Sequence, residues 1–87
     1  MDNVLRLKAK HFKDTVFSSC HDCAAAKAAK EQFNTTEANV STSYLCLNNS
    51  IVRKMEYTFD QFRIDSIAAA KLDFSEEIIR SLKLTGE

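Results

Sequence analysis

The stretch HFKDTVFSSCHDCAAAKAAKEQF, residues 11–33, decides how this chain folds. Phe12, Val16, Ser19, Cys23, Ala26 and Phe33 fall on one face of a helical period, with Lys30 interrupting the stripe. The alanine-rich run 24–29 adds high helix propensity. The pattern predicts one helix over residues 12–33. A second reading places a strand at 15–17 and starts the helix at Ser19, where Ser19 and Asp22 have capping-box spacing. The continuous apolar stripe favours the long helix.

On the N-terminal side, residues 4–9 alternate, with Leu5, Leu7 and Ala9 on one face and Arg6, Lys8 and Lys10 on the other, which reads as a short strand. On the C-terminal side, polar residues 34–39 end the helix. Residues 40–47 are rich in β-branched and aromatic side chains, and Asn48, Asn49 and Ser50 suit a turn because Asn tolerates left-handed backbone. Ile51, Met55, Tyr57 and Phe59 then share a period-two face, so 40–47 and 51–59 predict an antiparallel hairpin. Residues 60–72 read as helix, with Ile67 and Ala70 among its apolar positions. A further helix is expected from Ser75. Phe74 would staple onto Ile79, Glu76 and Glu77 would sit in the first turn, Lys83 in the last, and Gly86 beyond the end. The expected fold is a single α+β domain over 1–87: a long N-terminal helix, an antiparallel hairpin or small sheet, and one or two C-terminal helices.

Apolar residues are 45% of the 87 and charged residues 28%, an ordinary globular balance. A core is affordable at this size, with little room for a deep active-site cavity. Twelve basic and twelve acidic side chains give a formal net charge of zero, without the basic excess that phosphate neutralisation favours. The longest aliphatic run, residues 67–70, is far too short to span a membrane, and no apolar signal segment follows Met1. Together with three cysteines, an odd number, these features predict a reduced, cytoplasmic protein with no membrane partner. Glycine occurs once, at Gly86, and proline is absent. Gly-rich phosphate loops and dinucleotide fingerprints therefore cannot be built.

Cys20, His21, Asp22 and Cys23 form the one stretch that invites reactive chemistry. A thiol redox pair would want Cys20 at a helix N-terminus, whereas the long helix places it mid-helix. A zinc site would need Cys20 and Cys23 joined by Cys46 and by His11 or His21, but a second close ligand pair is missing. The simpler reading makes all three cysteines small apolar residues. No nucleophile–base spacing is present, and the expectation is a non-enzyme without cofactor or metal.

Phe12, Phe17, Phe33, Tyr44, Tyr57, Phe59, Phe62 and Phe74 are most of the core supply. Phe12 and Phe17 lie about 140° apart around a helix, and Tyr57 and Phe62 compete similarly. Aromatics left outside would mark a partner surface or a homodimer contact.

Lys13-Asp14-Thr15-Val16, Cys20 and Lys30-Glu31-Gln32-Phe33 resemble the first helix of a small acidic type I-F anti-CRISPR protein of phage. Asn49-Ser50-Ile51, Tyr57 and Asp65-Ser66-Ile67 follow in the same order, shifted by about three residues in the hairpin, so the resemblance covers residues 11–67. It implies a protein without enzymatic activity that binds a CRISPR surveillance complex, the acidic member by mimicking DNA charge. A net charge of zero departs from that mimicry, which needs a strong negative field. The candidate partner-contact residues are Tyr57, Asp60, Phe62, Asp65, Asp73, Glu76 and Glu77. Two rivals are a thiol or zinc protein and a small nucleic-acid-binding regulator using Arg6, Lys8, Lys10 and Lys13.

Overall fold

In the computed structural model, which describes residues 3–15, 23–41, 43–48 and 51–86, five strands form two sheets and two α-helices pack against them. Strand β1 (Val4–Lys8) leads into a 3₁₀ helix (Ala9–Phe12). Helix α1 (Ala24–Gln32) follows, then β2 (Ala38–Val40), β3 (Tyr44–Leu47) and β4 (Ile51–Lys54). Helix α2 (Phe59–Lys71) and β5 (Ile78–Lys83) complete the chain.

The long helix expected over 12–33 is not formed; α1 begins only at residue 24. The interruption has a backbone cause. Lys13 is extended, and Asp14 takes a left-handed φ of 56°, which no continuing helix accommodates. Phe12, Cys23 and Ala26 are buried as the stripe requires, but from different elements. Val16 and Ser19 lie outside the described residues, as does most of the alternative strand at 15–17. In α1, Ala24, Ala25, Ala26, Ala28 and Ala29 are all fully buried, and the helix packs on β1, β2 and the 3₁₀ helix. Side chains this small let its backbone lie close to the strands.

The expected strand over 40–47 is divided. Ala38–Val40 pairs with β3, and β3 pairs with β4 in the register Leu45↔Arg53 and Cys46↔Val52. Asn48 supplies a φ of 50° at the turn between β3 and β4. The second strand stops at Lys54 rather than at 59, although Met55 and Tyr57 remain buried.

A second C-terminal helix is not formed either: residues 78–83 are β5, antiparallel to β1. Leu82 and Leu84 alternate with exposed Lys83 and Thr85, a period of two that places both leucines in the core beside Leu5 and Leu7. A bulge lets Ile79 pack on the core while Arg80 reaches inward toward α2. Beyond β5, Thr85 and Lys54 exchange backbone hydrogen bonds of 2.7 and 2.9 Å, which links the two sheets at one bridge.

Both helices end in the same way. Thr35 N–H donates to Lys30 O and Asn34 N–H to Glu31 O; Phe74 N–H donates to Ala69 O and Asp73 N–H to Ala70 O. These are Schellman closures, with Asn34 (φ 52°) and Asp73 (φ 54°) where glycine is usual.

Candidate protein-interaction surface

Helix α2 is launched by a reciprocal cap: Thr58 Oγ1 accepts from Gln61 N–H at 3.2 Å, and Gln61 Oε1 accepts from Thr58 N–H at 2.9 Å. Its inner face is set by a carboxylate rather than by a hydrophobe. Asp65 is 2% exposed and accepts from Tyr57 Oη (2.7 Å), Arg80 Nε (2.6 Å) and Arg80 Nη2 (3.2 Å). Burial, followed by the hydrogen bond to Asp65, pushes the Tyr57 hydroxyl well above its ordinary pKa, so it stays a donor. Donating to the Asp65 carboxylate also raises the pKa of Arg80. Phe62 packs against Phe12 with ring centroids 5.7 Å apart and meets Tyr57 edge-on at 6.5 Å. Tyr57 and Phe62 thus fit inside together, Phe62 half-buried, and neither is a surplus aromatic.

With Asp65, Ala69 and Phe62 turned inward, the opposite side of α2 faces out. It carries Phe59, Ile64 and Ile67, which are 56%, 54% and 52% exposed, beside the exposed Asp60, Arg63 and Lys71. A helix normally gives its exposed side to polar residues. Among the described residues these three are the most exposed large apolar side chains, ahead of Ile78, Tyr44, Ile51, Val52 and Leu72.

Of the sequence-derived contact residues, Tyr57, Phe62 and Asp65 come together in the inward-facing network, and the acids Asp60, Asp73, Glu76 and Glu77 do not join them there. Tyr57 and Asp65 are buried in the network above. Asp60 lies on the outer face of α2, and Asp73 and Glu77 are exposed around the turn into β5. Glu76 is held by Lys10 Nζ at 2.8 Å and Lys8 Nζ at 3.3 Å. The apolar residues Phe59, Ile64 and Ile67 were missing from that set. Their signal is the excess of apolar positions on 59–72, more than one face can bury.

Lys8 and Lys10 also approach Glu31, at 3.7 and 2.5 Å, so the cationic stripe expected of a phosphate binder is largely neutralised by Glu31 and Glu76. Their contacts with lysine hold both carboxyls below the ordinary carboxylate pKa, and Lys10 is correspondingly raised. Buried His11 closes the cluster. Its Nδ1 accepts from Lys8 N–H at 3.0 Å, which leaves Nε2 to donate to Glu31 at 3.1 Å. Burial lowers the His11 pKa despite Glu31. The adjoining cleft, about 360 Å³, is lined by Arg6, Lys8, Lys10, Glu31 and Gln32. Another open groove of about 490 Å³ runs beside Tyr44, Lys54, Met55, Lys83 and Thr85. Ser43 and Glu56 complete the lining of this second groove.

Cys20 and His21 lie outside the described residues. Cys23 is buried at the start of α1, and Cys46 sits half-buried on β3. Among the described residues, no three His, Cys, Asp or Glu side chains gather closely enough to hold a metal ion. No described helix is long and apolar enough to cross a membrane. No protein-family model, curated protein or solved structure matches the chain.

Proposed function

We propose that this chain is a non-enzymatic protein-binding domain that inhibits or regulates a larger protein complex, and that it makes contact through the outer face of α2. One observation carries the reading: Phe59, Ile64 and Ile67 are exposed together on a helix whose other face is already satisfied. Apolar patches rimmed by charge are the usual mark of protein contact. The sharper form of the proposal is a phage-type inhibitor of a bacterial defence complex in the host cytoplasm, in keeping with the anti-CRISPR resemblance. Its mode would be steric contact rather than DNA mimicry. Of the five acids among the candidate contact residues (Asp60, Asp65, Asp73, Glu76 and Glu77), Asp65 is engaged by Tyr57 and Arg80, and Glu76 by Lys8 and Lys10.

The test is capture from host lysate by the wild-type chain and by an Ile64→Glu/Ile67→Glu variant with an unchanged circular dichroism spectrum. A defined complex retained by the first and lost by the second is expected. Equal retention by both, or no reproducible partner, would refute the reading.

A further inference from the structure

The outer face of α2 has a register that fits a second copy of itself. Asp60, Ile64, Ile67 and Lys71 succeed one another at spacings of four, three and four, the seam pattern of a coiled coil. All four side chains are exposed. The seam is also palindromic in chemistry: an acid at its N-terminal end, two isoleucines in the middle, a base at its C-terminal end. When two copies of α2 lie antiparallel about a two-fold axis midway between Asp65 and Ser66, Ile64 meets the partner's Ile67 and Asp60 meets the partner's Lys71. Symmetry repeats each pair at the opposite end. The same arrangement opposes the two helix dipoles favourably.

We propose that the chain forms an isologous homodimer through antiparallel packing of α2 on α2, with Ile64 and Ile67 as its apolar centre and Asp60–Lys71 pairs closing both ends. The proposal rests on reading the outer face of α2 as the interaction surface and names its occupant in the free protein. Phe59 and Ala70 lie on one flank of α2, with Arg63 between that flank and the seam in angle. No charge on the seam itself meets its like in this register. A parallel pairing about the same seam would set Asp60 against Asp60 and Lys71 against Lys71, so the charges select the antiparallel form. A contact only about 20 Å long belongs at the small end of specific interfaces, and the dimer is expected to be reversible with a Kd on the order of 10–100 µM.

The experiment is sedimentation of the purified, reduced full-length chain up to roughly 500 µM, well above that expected Kd. The wild type should pass from its chain mass of 9.8 kDa to twice that mass. Asp60→Lys makes both seam ends of a dimer positive, and Lys71→Asp makes both negative. Each variant alone should raise Kd by about tenfold or more at low salt. Mixed together, the two should form a heterodimer at least as readily as the wild type associates, because every end pair is then again of opposite sign. Ile64→Gln/Ile67→Gln should abolish association, with circular dichroism confirming the fold. A wild type that stays monomeric, a dimer indifferent to both charge reversals, or a mixture no better associated than its components each overturns the proposal. Because the measurement uses the isolated chain, its failure is separate from failure to capture a host complex.

Discussion

Tyr57→Phe removes one hydroxyl and leaves the ring, so it isolates the bond from Tyr57 Oη to Asp65. If Tyr57 were a partner contact, as its place in the sequence suggests, the change would weaken binding and leave stability alone. The structure predicts the reverse. The acceptor is a carboxylate 2% exposed, and the donor side chain belongs to a residue 3% exposed. Hydrogen bonds to charged groups contribute about 1.5–3 kcal/mol, and burial leaves no water to replace this one. Asp65 keeps its two bonds from Arg80, so the carboxylate is not stranded and the cost should fall near the lower end, about 1.5–2 kcal/mol. For a domain of this size that lowers Tm by roughly 6–16 °C. Asp65→Asn should cost more, because it also removes the charge that Arg80 neutralises. The pair should be non-additive, with a coupling of about 1 kcal/mol or more between Tyr57→Phe and Asp65→Asn in a double-mutant cycle followed by urea unfolding. A Tyr57→Phe loss below about 0.5 kcal/mol, or strict additivity with Asp65→Asn, would refute the network.

Three further outcomes follow from individual contacts. Asp73→Gly relieves a left-handed φ of 54° at an exposed helix end and should raise stability by about 0.5–1 kcal/mol, read as a Tm gain of a few degrees. Gln32 lies across the outer edge of β1, accepting from Arg6 N–H at 2.9 Å and donating to Val4 O at 2.6 Å; Gln32→Ala should cost about 1–2 kcal/mol and speed exchange of the Arg6 amide. His11 is buried with its pKa below the ordinary 6.5, so below that pH the unfolded chain takes up a proton that the folded chain refuses, and stability should fall. Glu31 and Glu76, held below 4.5 by Lys10, add stability that is lost in a second, more acidic stage as pH falls through their lowered values. Urea midpoints followed across pH should show both stages, with His11→Gln removing the upper one.

The short strand at the N-terminus and the helix near 60–72 were legible because their signals are local: Leu5 and Leu7 alternate, and residues 60–72 run without glycine or proline, although Thr58, whose cap with Gln61 starts the helix, reads in the sequence as the end of a strand. The long helix over 12–33 was misread because its stripe is a coincidence of separately buried residues. Phe12 reaches the core from a 3₁₀ helix and Ala26 from α1, and nothing in a helical projection distinguishes that from one face. The C-terminal strand was misread for another reason. Ser75, Glu76 and Lys83 satisfy every local rule for a helix, but β1 needs a partner for its backbone, and only the non-local pairing with residues 78–83 provides it. Scarce glycine does not keep the backbone out of the left-handed region. The left-handed positions exist at Asp14, Asn34, Asn48, Asp73 and Phe74, the first four being the residue types that tolerate them best after glycine.

Neutral charge carries a mechanistic consequence that composition alone could not reach. A balanced chain could still present one acidic face to a cationic partner if its bases lay elsewhere. Here bases and acids are interleaved in space: Lys8 and Lys10 lie between Glu31 and Glu76, Arg80 covers Asp65, and Arg63 lies 4.0 Å from Asp60. Fields from such pairs cancel within a few ångströms and are screened further at physiological salt, so long-range steering has little to act on. Under the proposed function, affinity would then come from short-range apolar burial, and the outer face of α2 carries three exposed large apolar side chains that could supply it. A partner bound in this way should dissociate only slightly as salt is raised, whereas the Asp60–Lys71 ends of the α2 pair should loosen. High salt therefore separates the two proposed uses of the one face.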